Sequence, residues 1–307
     1  MDRNAYWKFV KKTREPDAVE KSVAYLAEHL GKFLRPGERV LICFPYREKG
    51  SLSDLFEQAI LRCHAEPVVW SDLLWKTLLR QAFVNRVTAI IGPPLILLGL
   101  MKLKRHNETP LFIRKVIVSG YPAPEWMIDG LVQGFDCEVG GCFGLEHSGI
   151  VAGFACGKSW GVHLWDEMYG VDIVDDSGNK LPEGMQGQVV LYPKCAPELR
   201  LPIGDTAVLT TEPCPCGSKA PRLTNLCYGG LMDSDLDALA NHLMSWTSIL
   251  DCHVKKGEFG LELEVICFQG EKLPQLPTAA RMIIRPWDPA TDTPLMHASS
   301  LKIPEMM

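Results

Sequence analysis

The sequence predicts an α/β protein: a mostly parallel sheet with flanking helices, then an antiparallel β subdomain forming a partial barrel, then a small α+β terminal domain. Three observations carry that expectation. Over the first half, short apolar runs alternate with stretches of helical periodicity, the pattern of βαβ units. Past residue 150 the rhythm becomes short strands joined by turn-rich connections. From about Gly229 a mixed texture of one helix and several strands takes over. These changes place domain boundaries at 1–150, 151–228 and 229–307.

The elements follow in order. Residues 17–34, "DAVEKSVAYLAEHLGKFL", repeat apolar positions at helical spacing, and "RPG" (35–37) ends the run. "RVLICF" (39–44) reads as a buried strand, and "SLSDLFEQAILRC" (51–63) as a helix opened by a Ser N-cap. "PVVW" (67–70), "VTAII" (87–91), "RKVIVS" (114–119) and "CEVG" (137–140) are strands. Helices at 71–83, from Gly-Pro-Pro to about Lys104, and at 123–135 separate them. In such sheets ligands sit beyond the carboxyl ends of the strands, which directs attention to loops 45–50, 92–94, 119–124 and 140–149. In the second half "GVHLW", "YGVDIVDD", "GQVVLYP" and "TAVLTTEP" are short antiparallel strands. A helix "DLDALANHLMSW", strands near 250–255 and 260–267, and "ARMIIRP" (280–286) build the terminal domain.

Composition narrows the function classes. A net charge of −5 offers no basic footprint, which argues against nucleic acid. The greasiest stretch, "VTAIIGPPLILLGLM" (87–101), is too short and too broken by Gly-Pro-Pro to cross a bilayer. The opening "MDRNAYWKFVKK" has no apolar core of an export signal. With an odd count of 11 cysteines, this predicts a reducing, cytoplasmic setting.

Two of those cysteines stand one residue apart in "EPCPCGS": Cys214 and Cys216. Upstream, "ACGKSWGVHLW" carries Cys156 and His163. Three thiolates and one imidazole are the ligand set of a closed tetrahedral zinc site. The alternative is four unconnected residues; a redox pair would need two intervening residues at a helix start. Cys137, Cys142 and His147 are substitute ligands. "GKSWG" (157–161) fits the nucleophile-elbow pattern, but a strand follows where that motif needs a helix. The P-loop string fails because Ala152 stands where its first Gly belongs.

Several segments together resemble adenylate-forming enzymes of the phenylacetate–CoA ligase and coenzyme F390 synthetase branch. These are "GERVLICFPYREKGSLSDLFEQAI", "VTAIIGPPLILLGL", "KVIVSGYPAPEWMIDGL", "CEVGGCFGLEHSGIVAG" and "GVHLWDEMYGVDIVDDSGNKLPEGMQGQVVLYP". "ELRLPIGDTAVLTTEPCPCGS" completes the match, which covers about residues 36–230. The resemblance implies an acid–thiol ligase. A carboxylic acid and ATP give an acyl-adenylate and pyrophosphate, and the acyl group then passes to a thiol such as coenzyme A. It also implies zinc held by such cysteines, and Mg²⁺ beside the nucleotide.

The site residues come with the resemblance. Asp205 in "RLPIGDT" matches the ribose-binding Asp, and Arg200 an Arg upstream of it. Gly120 and Tyr121 fall in the nucleotide and acyl pocket. Gly144 matches the Gly of the Tyr-Gly-x-Thr-Glu motif, and Phe143 stands for the Tyr that stacks on adenine. Glu146 and His147 occupy the Thr and Glu positions, leaving Glu146 to take over Mg²⁺. Lys302 in "SSLKIPEMM" is the candidate for the catalytic Lys. The departures are equally specific: no Ser/Thr/Gly-rich phosphate loop precedes Gly37, and Gly230 stands where an Arg is expected. These departures imply a chain impaired as an autonomous ligase. Two alternatives follow: a zinc-stabilised, non-catalytic binding or regulatory module for a small acid or acyl-CoA, and a half-enzyme completed by a polypeptide carrying the phosphate loop. Self-association as a homodimer is open.

Overall fold

The structure is a computed structural model and describes residues 3–45, 47–70, 72–146, 148–158, 161–228, 234–279 and 281–295. Two helices, α1 (Arg3–Thr13) and α2 (Pro16–Leu30), precede the first strand, where the sequence reading had one. The break falls at "REP", because Pro16 has no N–H to continue a helix and instead opens the next one.

Strands β1 (Arg39–Ile42), β2 (Glu66–Val69), β3 (Ala89–Gly92), β4 (Lys115–Ser119) and β5 (Glu138–Leu145) form a parallel sheet in the order β2-β1-β3-β4-β5. Helices α3 (Leu52–Arg62), α4 (Trp75–Val84), α5 (Pro94–His106) and α6 (Glu125–Phe135) make the crossovers. Alternation along the strands feeds two cores. Val40, Ile42, Ala89, Ile91 and Ile117 pack with α2 and α3, whereas Leu41, Ile90, Val116 and Val118 pack with α4, α5 and α6. A sheet buried on both faces needs unbroken apolar runs, which is how these strands were legible. The predicted cap of α3 is present. Ser51 Oγ accepts from the Asp54 N–H at 3.4 Å, and the Asp54 carboxylate accepts from the Gly50 N–H at 2.7 Å.

After β5 the chain reverses. Strands β6 (Ile150–Phe154), β7 (Val162–Leu164), β8 (Tyr169–Val174), β9 (Gln186–Pro193), β10 (Leu201–Thr210) and β11 (Arg222–Tyr228) are antiparallel. They extend the same sheet to eleven strands, in the order β5-β6-β7-β11-β10-β9-β8. The joint is narrow: β7 meets β6 through two residue pairs and β11 through two more. A separate core backs this half. Phe9 of α1 stacks on Tyr169, and Tyr25 of α2 stacks on Trp165 with ring centroids 4.3 Å apart.

A terminal unit follows: α7 (Ser234–Ser245), β12 (Ile249–Gly257), β13 (Gly260–Cys267) and β14 (Arg281–Pro286). Its three strands form a second sheet, antiparallel between β12 and β13 and parallel between β13 and β14. Among the described residues, no helix is long and apolar enough to cross a membrane.

Candidate functional site

Two constellations stand out. The first lies where the parallel strands end together. Gly120, which follows β4, has φ +103°, a region costly for any side chain. A Cβ placed there would sit 3.7 Å from Phe44 Cε1 and Pro93 Cγ, and 3.8 Å from Glu146 Oε2. The loops after β1, β3, β4 and β5 therefore converge on one point. Tyr121 Oη accepts from the Leu95 N–H at 3.2 Å, which ties the β4 loop to the start of α5. The Glu146 carbonyl accepts from the Leu52 N–H at 3.0 Å, tying the β5 loop to the start of α3. Gly120, Tyr121 and Glu146 are thus brought together at the expected end of the sheet. His147, Gly230 and Lys302 lie outside the described residues.

The other residues expected at a nucleotide have different surroundings. Phe143 is buried in the core with Tyr6, Ile150 and Ala152. Gly144 serves the β5–β6 turn, since a Cβ there would lie 2.2 Å from the Ile150 carbonyl oxygen. Arg200 donates to Asp172 at 2.6 Å, and its guanidinium lies 5.3 Å from the centre of the Tyr192 ring. Burial works against the charge of Asp172, but hydrogen bonds from Lys180 and Arg200 outweigh it and hold the carboxyl below its ordinary range. Asp205 is the opposite case. It sits on β10 opposite Tyr228, and burial alone lifts its carboxyl to about 7.

The second constellation is the cysteine cluster. Cys156 follows β6, His163 lies on β7, and Cys214 and Cys216 lie between β10 and β11. Their four ligand atoms all fall within 4.8 Å of one another. Cys156 Sγ is 3.6 Å from Cys214 Sγ, and Cys216 Sγ is 3.3 Å from His163 Nε2. A tetrahedral zinc with ordinary bond lengths sets these edges at about 3.8 Å and about 3.6 Å, so these two pairs stand nearly at zinc spacing. His163 Nδ1 lies 3.3 Å from the Ala220 carbonyl, a partner that leaves Nε2 as the ligating nitrogen. The Ser218 N–H donates to Cys216 Sγ at 3.4 Å, as it would to a thiolate. Cys137 and Cys142 stand apart: the Cys137 thiol donates to the Leu131 carbonyl, and Cys142 is buried in the core against α2 and α3. The residues fit the metal, and a full shell of protein donors would make it structural.

Comparison with solved structures places the architecture. A 2-hydroxyisobutyryl-CoA ligase in its postadenylation state, in complex with 2-HIB-AMP, aligns with a TM-score of 0.64 at 16% identity. The alignment covers 90% of this chain and 67% of that one. The same ligase in an open conformation with 2-HIB-AMP and CoA gives 0.61 at 19% identity, over 72% of this chain and 57% of that one. A benzoate CoA ligase from Burkholderia xenovorans gives 0.54 at 12% identity, over 86% and 62%. The chain thus spans between 57% and 67% of the length of these structures. No family model matches the sequence. No curated protein matches it either. The fold is that of the adenylate-forming ligases.

Proposed function

We propose that this chain binds a carboxylic acid and a nucleotide as the acid-activating part of a phenylacetate–CoA ligase-like enzyme. The observation that carries the reading is the fold shared over 90% of the chain with a ligase bound to 2-HIB-AMP. It gains support from Gly120, Tyr121 and Glu146 meeting where four loops converge. In this reading the acid's carboxylate oxygen attacks the α-phosphorus of ATP and pyrophosphate leaves. A thiol such as coenzyme A then attacks the acyl carbon and AMP leaves. In this reading the Asp205 carboxylate accepts from the ribose hydroxyls, and Glu146 would hold Mg²⁺, whose charge would offset that of the phosphates. In this reading a partner polypeptide would supply the grip on the triphosphate, for which no Gly/Ser/Thr-rich loop occurs before Gly37.

Zinc in the Cys156, His163, Cys214 and Cys216 cluster would fasten the narrow joint at β7, where each neighbour is held by two residue pairs. Its role in this reading is architectural: it keeps the antiparallel half of the sheet in register with the parallel half.

The test is calorimetric titration with AMP and with a non-hydrolysable benzoyl-adenylate analogue, alongside metal analysis and ATP–pyrophosphate exchange. One zinc per chain, binding of both probes, and no exchange by the chain alone is the expected set. A second reading, a non-catalytic zinc-stabilised module, is favoured by Phe143 and Arg200, whose side chains are engaged in packing and in the Asp172 pair. Zinc with no affinity for either probe would select that module and overturn the ligase reading.

A further inference from the structure

Arg14 stands in the two-residue link between α1 and α2, where Pro16 breaks the helix. Its backbone N–H donates to the Val10 carbonyl at 3.0 Å and closes the last turn of α1. The inner face of α1 fixes that link in place, because Tyr6, Phe9 and Val10 are buried in one core with Phe143 of β5. The side chain then runs along the loop after β1. A Cβ on Gly50 would lie 3.6 Å from Arg14 Cγ and 3.6 Å from Arg14 Nε. Burial raises the pKa of the Tyr6 phenol, and the Arg14 charge acts against that rise, so the guanidinium is also felt on the α1 side.

The loop under Arg14 belongs to the convergence of the parallel strands. A Cβ on Gly149 would lie 1.8 Å from the Gly50 carbonyl oxygen, so the loops after β1 and β5 meet backbone to backbone. Two residues beyond Gly50, the Leu52 N–H reaches the Glu146 carbonyl, and the Glu146 carboxylate lies 3.8 Å from a Cβ placed on Gly120. Arg14 therefore flanks the junction that presents Glu146. Loop 45–50, "PYREKG", adds Arg47 and Lys49 against Glu48, so this rim is basic in a chain of net charge −5. A half-buried guanidinium is costly where nothing accepts from it, and at a partly dehydrated site its charge acts more strongly than in water.

We propose that Arg14 is a phosphate-binding residue, whose guanidinium meets the phosphoryl oxygens of a nucleotide seated at this junction. The phosphate concerned is the one that stays on the acyl-adenylate after pyrophosphate leaves. A planar fork of N–H donors suits such oxygens and offsets their charge without a glycine-rich loop. That the phosphate belongs to a nucleotide rests on the reading above; the affinity of this junction for phosphoryl oxygens does not.

Calorimetric titration of the full chain with AMP and with adenosine separates a phosphate contact from a packing role. Arg14→Gln should weaken AMP about tenfold or more and leave adenosine within about twofold. Arg14→Lys, which keeps the charge but not the fork, should recover part of the loss. Phenylglyoxal modification of the wild type, read by peptide mass spectrometry, needs no variant to fold: AMP and inorganic phosphate should slow modification of Arg14, and adenosine should not. Equal AMP affinities in the wild type and a folded Arg14→Gln, or a parallel loss for AMP and adenosine, would overturn the proposal. So would an Arg14 that the reagent cannot reach in the free chain, or one modified as fast with AMP and phosphate as without them. Protection by inorganic phosphate in a chain that binds no AMP would sink the ligase reading and leave Arg14 its role. AMP binding indifferent to Arg14 would do the reverse.

Discussion

Asp205 offers the sharpest quantitative test, because its ionisation is opposed by burial alone. In the folded chain the carboxyl is lifted from its ordinary 3.8 to about 7. Between those values the folded state holds a proton that the unfolded chain releases, so stability falls as pH rises through the window. The gap between 3.8 and about 7, at about 1.36 kcal/mol per pH unit, gives a loss of about 4 kcal/mol once pH exceeds 7. Asp205→Asn has the same shape without the titrating proton, so it escapes the loss. Urea unfolding of both chains at about pH 5 and about pH 8 reads the difference. Across that range the variant should gain on the wild type by about 3 kcal/mol, since part of the full loss has already occurred by pH 5, and most of the gain is reached by about pH 7. Stability profiles that run parallel from acid to base would refute the argument, since they would mean that the carboxyl is hydrated or paired.

Other outcomes follow from the same coordinates. If the Asp205 carboxylate receives the ribose hydroxyls, AMP affinity should weaken below pH 7 by up to about tenfold per pH unit, and titrations at three pH values would show it. Cys214→Ser, or a strong chelator, should remove zinc and lower Tm by about 2–4 °C for each kcal/mol lost; hydrogen exchange should rise first in β7 and β11, as the paired residues there are fewest. Gly99→Ala should destabilise by about 1–3 kcal/mol, measured by thermal unfolding. A Cβ at that position would lie 2.3 Å from Trp75 Cη2, where α4 and α5 pack.

The candidate site was only partly legible before folding. Cys156, His163, Cys214 and Cys216 could be read because thiolate and imidazole donors are few and chemically distinctive. The loops that carry Gly120, Tyr121 and Glu146 could be placed because a parallel sheet sends its loops to one end, whereas the residues themselves came with the resemblance. Phe143 and Arg200 could not. Whether a strand residue faces a ligand or the core depends on which face the neighbouring layer covers, and the partner of Arg200 is 28 residues away on another strand. Strands β6 and β11 went unread for a related reason. Glycine interrupts the apolar pattern of the first, and Asn225 in the second has φ +48°, a left-handed residue that reads as a turn and not as a strand.

By itself the sequence determined the βαβ order, the two-sided burial of the parallel strands, the Ser51 cap and the short roll of thiols and imidazoles from which a metal site could be drawn. Each is a matter of local periodicity or of side-chain chemistry. Only the tertiary structure decided that the antiparallel strands continue the parallel sheet through a three-residue strand. It alone brought four donors from β7 and two separate loops to within 4.8 Å, and set Lys102 against carbonyls more than 140 residues away. Those contacts are long-range, and they are fixed by how packed layers meet.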